Sequence, residues 1–362
     1  DEGALDVSSY SIDGTTAGRT LTMNGGELIL RSNFPLNYSA PTFSAGKITF
    51  DGSGNSIIPS SASSPAVNQY FKLKIAGNTR SGNITFPNSG EIRIKDSLDI
   101  SALNFTNNTF KFLTDGSTVV FNKLGGNQYI PLKPASPSDS LVNLEYFNLI
   151  IDSLGTKQFI STGSPTFKVL NNLTLRNNST FDVNNFNLEV QGNWTNQSGA
   201  VFQPGTASVI MRSTVALTTK SITSRDTTDN PFNNLVIAGP GIVETLDDIK
   251  VNGNLRIDTT SNLKLNTFRM SLYGNWINNG GTHQVSTSTV KFNNNAMQNI
   301  IHSSNNEQFY NLIVNNNQNV NATTIGGTSN GIIINNDLIL ENGNLITHSG
   351  SNYRYATVLG NL

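Results

Sequence analysis

The stretch IKVNGNLRI at residues 249–257 decides the fold. Ile249, Val251, Leu255 and Ile257 share one parity, and a period of two places alternate side chains on one face of a β-strand. The Asn-Gly-Asn between the two apolar pairs is a turn former that tolerates positive φ. The same rhythm continues downstream in Leu263 and Leu265, then Phe268, Met270 and Leu272, then Val290 and Phe292. Helical spacing is sustained nowhere, and Asn-Gly, Asn-Asn, Asp-Gly and Gly-Gly pairs fill the gaps.

Reading outward from this stretch, close relatives of it recur. EIRIKDSLDI (91–100), FKVLNNLTL (167–175) and IIINNDLIL (332–340) share its pattern, and LTMNGGELIL (21–30) fits it too. A second signature precedes IKVNGNLRI and each of the first three relatives: YFKLKIAG (70–77), YFNLIID (146–152), PFNNLVIAG (231–239) and FYNLIVN (309–315). Ahead of those stand GKITF (46–50), STVVF (117–121), ASVIM (207–211) and STVKF (288–292), which end on Phe50, Phe121, Met211 and Phe292. Gly-Asn-Trp appears twice, at Trp194 and Trp276, with about the same separation as neighbouring copies of the other signatures. Order is preserved each time, which predicts a tandem repeat of roughly 80 residues. The expected organisation is one continuous fragment: a partial repeat over 1–50, repeats at 51–121, 122–211 and 212–292, and a partial repeat over 293–362. Core-strand positions near 237, 251, 272, 290 and 314 predict coils of about 20 residues, four to a repeat.

These features predict an all-β chain wound as a parallel β-helix (a β-solenoid). A string of β-sandwiches is the alternative, but it calls for linkers between compact units, and the pattern runs straight through the repeat boundaries. Abundant Asn fits stacked coils, because amide side chains can form ladders along a cross-β-like axis.

Composition narrows the function. Charged residues make up 13% of the 362 residues, about half the usual share. A net charge of −1 leaves no basic footprint for nucleic acid or anionic lipid. Without cysteine, thiol catalysis and Cys-ligated metal centres are excluded. No run approaches the ~20 apolar residues that span a bilayer as a helix.

The order F-x-N-L-x-I, V-N-G-N-L-x-I, G-N-W and T-V-x-F, carried here by PFNNLVI, IKVNGNLRI, GNWIN and STVKF, resembles the β-strand-repeat regions of very large surface proteins of Bacteroidetes. The resemblance covers most of the chain from about residue 21; the first repeat departs from it in having no Gly-Asn-Trp. It implies an adhesin-like or matrix-like protein, exported by type IX secretion machinery and displayed at the cell surface or secreted, with extracellular glycans or cell surfaces as partners. It also implies O-glycosylation at Asp-Ser and Asp-Thr sites, for which Ser97, Ser140, Ser153, Thr227 and Thr259 are the candidate acceptors; the same dipeptides are common at turns.

Chemistry is sparse. His283, His302 and His348 stand singly, outside any metal-binding spacing, and their places in different coils predict that they do not converge. Asp247-Asp248, with Glu244 and Lys250 nearby, reads as a solvated turn. DGSGN (51–55) sets Asp51, Ser53 and Asn55 at alternate positions like the start of a calcium loop, a weak metal candidate beside the reading as a plain turn. Trp194 and Trp276 could stack on sugars but continue the strand parity, which predicts a core role. The expectation is a non-catalytic, cofactor-free structural or adhesin-like repeat region, a rigid stalk or an adhesive surface. The alternatives are a glycan-binding module using aromatics such as Tyr273 or Tyr310, and a β-helix polysaccharide lyase or hydrolase.

Overall fold

The computed structural model describes residues 3–6, 21–31, 41–64, 66–76, 80–100, 112–131, 145–159, 166–225, 230–303, 306–324, 331–349, 352–353 and 355–362. The fold is a parallel β-solenoid of about 12 turns, near 23 residues apart. No helix occurs among the described residues. Two compact units are formed, Asp1–Asp182 and Val183–Leu362; the division falls inside the expected repeat 122–211.

In the first unit one sheet stacks Glu27–Leu30, Lys47–Phe50, Tyr70–Ile75, Ile92–Asp99, Thr118–Phe121, Asn148–Ile151 and Leu173–Leu175, each parallel to the next. In the second unit one face stacks Ser208–Arg212, Asn234–Ala238, Leu255–Ile257, Trp276–Asn278 and Gln298–His302. A second face stacks Ile249–Val251, Arg269–Leu272 and Thr289–Asn294, and a third Thr219–Thr223, Ile242–Thr245, Asn262–Lys264 and Thr282–Gln284. Among the described residues one antiparallel pair occurs, His348–Ser349 with Asn352–Tyr353.

The parity of IKVNGNLRI is the parity of burial: Ile249, Val251, Leu255, Ile257, Leu263, Met270, Leu272 and Phe292 are wholly inside, while Phe268 is half-buried. The Asn-Gly-Asn joins two strands on two faces of one coil. Ile237 therefore stacks on Ile257, not on Val251, and Val251 continues through Leu272, Phe292 and Val314. The sequence steps near 237, 251 and 272 thus mix a move around one coil with a move to the next. Coil length varies because the corners vary: Leu28 is in register with Ile48, whereas Phe121 reaches its partner Ile151 by a path half as long again.

The three strand signatures stack in consecutive coils at each recurrence. Phe121, Ile151 and Leu175 are in register; so are Met211, Ile237 and Ile257, and Phe292, Val314 and Leu340.

The Asn residues of the signatures have a specific task. Asn234 Oδ1 accepts the backbone N–H of Asn254 at 2.8 Å, Asn254 Oδ1 that of Asn275 at 2.8 Å, and Asn275 Oδ1 that of Asn299 at 2.8 Å. Asn148 treats Asn172 in the same way at 3.2 Å, and Asn193 treats Ser221 at 2.9 Å. These ladders run from side chain to main chain rather than from amide to amide. Each satisfies an N–H at the corner where the sheet hydrogen bonds stop. Pure amide rungs also occur, as from Asn315 Nδ2 to Asn293 Oδ1 at 2.8 Å.

Glycine precedes Asn254 and Asn275, where the coils close tightly. A Cβ on Gly274 would lie 2.2 Å from the carbonyl oxygen of Gly253, and neither backbone can retreat without breaking the Asn254–Asn275 rung. Gly274→Ala is therefore expected to cost about 1–3 kcal/mol, in the range of overpacked sites. Urea denaturation checks this; an unchanged midpoint would mean that the corner is looser than described.

Candidate functional site

In the second unit, residues in register in successive coils form columns; within two adjacent coils two apolar columns turn polar and a third begins on a polar residue. Met211, Ile237 and Ile257 continue as Asn278 and His302. Val243 and Leu263 continue as His283. Glu307 opens a column that goes on as Ile332. Asn278, His283, His302 and Glu307 are all buried, and together with Thr282, Ser303, Asn306 and Gln308 they line a cavity of about 290 Å³.

The geometry follows from the strands that carry these residues. Asn278 ends the strand Trp276–Asn278, and its Nδ2 donates to Glu307 Oε2 at 2.8 Å. His283 sits mid-strand in Thr282–Gln284; its Nδ1 lies 2.9 Å from the carbonyl oxygen of Gln308 and 3.8 Å from Glu307 Oε1. Burial pushes the Glu307 carboxyl up to about 7, against the opposing pull of the Asn278 amide and the Trp276 indole. Burial likewise pulls the His283 imidazole down to about 4, against its bond to Gln308. Both groups are therefore held toward their neutral forms.

An apolar counterpart stands earlier in the same unit. Trp194, Phe202 and Phe232 pack with ring centroids 4.7, 5.2 and 6.1 Å apart. Trp276, His283 and Phe309 repeat the arrangement at 4.9, 5.1 and 5.8 Å. His283 thus takes the place of Phe202, and Glu307 that of Asn230, whose Oδ1 accepts the Phe202 N–H at 2.8 Å. Both Trp side chains are fully buried, so neither offers a face to a sugar. The convergence of His283 and His302 corrects the expectation that different coils keep them apart: adjacent coils lie one strand spacing from each other, so residues nearly a full turn apart in sequence line one cavity. The side chain of His348 lies outside the described residues.

The pair has a legible pH signature. Glu307 ionises later in the folded protein than the ordinary carboxyl at 4.5, so the folded state holds more protons between about 4.5 and 7, and stability falls as pH rises through that window. His283 protonates later than the ordinary imidazole at 6.5, so the unfolded state holds more protons between about 4 and 6.5, and stability rises with pH there. Removing either group should unmask the other. His283→Phe is expected to lose stability from pH 4.5 to 7, and Glu307→Gln to gain it from pH 4 to 6.5, as read by thermal melts across pH. Parallel slopes in the two variants would contradict the burial of the pair.

The remaining sequence candidates fall elsewhere. Asp51, Ser53 and Asn55 are exposed in their loop; Asn55 Oδ1 accepts the Asn83 N–H at 2.8 Å. The inward oxygens of that loop go to a buried guanidinium, as Arg80 donates to Gly54 O at 2.9 Å, Ser56 Oγ at 3.0 Å, Phe50 O at 3.3 Å and Ala76 O at 3.2 Å. Lys157 plugs a comparable corner, donating to the carbonyls of Lys123 and Ser153, and burial brings its ammonium down to about 8. No group of three or more metal-ligating side chains occurs among the described residues.

Asp247 and Asp248 bind opposite neighbours: Asp247 accepts from the Ser224 and Arg225 N–H groups, and Asp248 from that of Arg269. Tyr273 and Tyr310 are half-buried; Lys250 covers the Tyr273 ring at 5.0 Å, and Asn293 donates to its hydroxyl at 2.6 Å. Of the glycan acceptors, Thr259 is exposed, Ser97 and Ser153 are half-buried, and Ser140 and Thr227 lie outside the described residues. No helix long and apolar enough to cross a membrane occurs among the described residues.

Compared with known proteins, the chain matches no family model, no curated protein and no solved structure.

Proposed function

We propose that this chain is a non-catalytic structural and adhesin-like repeat region of a secreted or cell-surface protein. The observation that carries the reading is where the polar side chains go. The Asn of the signatures, Asp247, Asp248, Arg80 and Lys157 all bind the backbone of their own or a neighbouring coil, so these polar side chains serve cohesion. A two-carboxylate hydrolase places a pair of acids across the scissile bond, and among the residues lining the cavity Glu307 is the single acid. Such cohesion without disulfides suits a protein exposed outside the cell.

The long repeat inferred from the signatures belongs to this reading. The same signature stack returns from copy to copy, and the aromatic triad at Trp194 returns at Trp276. In the second unit the copies land on different faces, since Met211 and Ile237 share a column with Leu255–Ile257, whereas Phe292 stacks on Leu272. Between Met211 and Phe292 the signature interval is no whole multiple of the turn length, so that copy begins on another face, whereas Lys47–Phe50 and Thr118–Phe121 belong to one sheet. Export by type IX machinery and O-glycosylation, with Thr259 the most accessible of the described acceptors, belong to the same proposal.

The test is binding of the purified chain to an array of polysaccharides and bacterial and host cell surfaces, run beside an assay for reducing ends. Saturable binding to a surface or glycan class without release of reducing ends is the expected result. Time-dependent release of reducing ends would overturn it in favour of a lyase or hydrolase.

A further inference from the structure

Two corners of the solenoid turn apolar side chains to solvent in adjacent coils. In the first unit Leu124 and Leu154 are 74% and 60% exposed, and the Gly125 N–H donates to the Leu154 carbonyl oxygen at 2.6 Å. In the second unit Val215 and Leu217 are 59% and 90% exposed. Pro240 is exposed in the next coil, where the Ile242 N–H donates to the Thr218 carbonyl oxygen at 2.8 Å. The two corners occupy one place in the repeat: they follow Phe121 and Met211 in one coil, and Ile151 and Ile237 in the next. The fold does not require apolar residues there, because the same corner after Phe50 exposes Ser53 and Asn55.

Both corners are held from inside. Ser213 is wholly buried, and its Oγ lies 2.9 Å from Thr218 Oγ1, which donates to the Val215 carbonyl oxygen at 2.7 Å. Lys157 holds the other corner, donating to the carbonyl oxygens of Lys123, Ser153 and Gly155, the neighbours of Leu124 and Leu154. Rigid tips lose little freedom on docking. Leu217 also sits at φ +61°, a left-handed conformation that is costly for any residue but Gly, Asn or Asp. Strain on an exposed leucine gains nothing inside the chain, and such strain marks functional segments.

The surroundings of the tips say what docks. Ser213–Thr219 and Gly239–Gly241 hold no charged and no aromatic residue, whereas bilayer surfaces are gripped by Trp, Tyr, Lys and Arg. A net charge of −1 lets two copies of the chain approach without repulsion. The corners also differ in shape. Leu124 and Leu154, one coil or about 4.8 Å apart, make a two-pronged seat, while Leu217 is a single tip. We infer that Leu217 of one copy docks on the Leu124–Leu154 corner of a second copy. Stable interfaces bury about 1,200 Å² or more, beyond what a few side chains supply, so each contact is weak. Tip and seat lie on different units, so the contact is head-to-tail and joins copies in series.

Sedimentation velocity of the intact chain, from about one micromolar to about one millimolar, tests this. The weight-average mass is expected to rise with concentration. Leu217→Asn should weaken association at least tenfold and leave the melting temperature unchanged or raised, because asparagine tolerates the left-handed conformation. Leu124→Asn combined with Leu154→Asn should weaken it at least tenfold as well. Each variant keeps the half that the other lacks, so a mixture of the two should pair one to one. A wild-type chain that stays monomeric, association unchanged in either variant, or a mixture that does not pair would each overturn the inference. So would a lowered melting temperature of Leu217→Asn, which would show the leucine to be held by contacts within its own chain. Binding to phosphatidylcholine vesicles by a chain that stays monomeric would put a bilayer in place of the second copy.

Discussion

Arg80→Met should destabilise the first unit by about 3 kcal/mol or more, since each buried acceptor stripped of its donor costs about 1–3 kcal/mol. Arg80 is wholly buried, and its guanidinium bonds the carbonyls of Phe50, Gly54 and Ala76 and the hydroxyl of Ser56. Burial lowers its affinity for the proton and Asp51 restores part of it, but a guanidinium stays charged under any working condition. Methionine keeps most of the volume and none of the donors, so the variant separates hydrogen bonding from packing. The measurement is urea denaturation followed by two probes, one in each unit. A shift below about 1 kcal/mol would mean that water replaces the guanidinium at the carbonyls.

The second large effect is expected at Trp194. Its indole is 1% exposed and packs edge-on against Phe202 and Phe232. Trp194→Ala removes the largest side chain of that coil, and Phe→Ala and Trp→Ala changes in cores cost about 3–5 kcal/mol. Trp194→Phe should cost clearly less, because a smaller ring still meets both partners. The corresponding pair of variants at Trp276 should show a smaller gap, since one of its two ring partners is the imidazole of His283. Thermal melts of the four variants at one pH decide it. Equal losses at the two tryptophans would mean that the imidazole packs as well as a phenyl ring.

The architecture is legible in the sequence because period two and turn chemistry are local. IKVNGNLRI shows both strands and the corner between them, and its buried residues are those of one parity. Stacking is harder to read. Corners of variable length set register partners at unequal distances along the chain, so Val251 reads as the successor of Ile237 when it lies on another face of the solenoid. The cavity is hidden for the same reason: His283, His302 and Glu307 come together only once each is assigned to its column. A usable signal exists, since His283 follows a Trp as Phe202 does and Glu307 precedes a Phe as Asn230 does. Arg80 carries no signal, because a lone arginine beside Asn and Thr reads as solvated.

The five side-chain-to-main-chain rungs of the signature Asn residues point one way, opposite to the bond from Phe202 N–H to Asn230. At Asn148, Asn193, Asn234, Asn254 and Asn275 the side-chain oxygen belongs to the earlier coil and the N–H to the later one. A finished coil therefore presents a ready row of acceptors at its C-terminal side, a template on which the next stretch of chain can be laid as it emerges. Growth in that direction needs only one further coil of chain per step and no closing contact from the far end, so the chain can acquire structure while it is still being delivered.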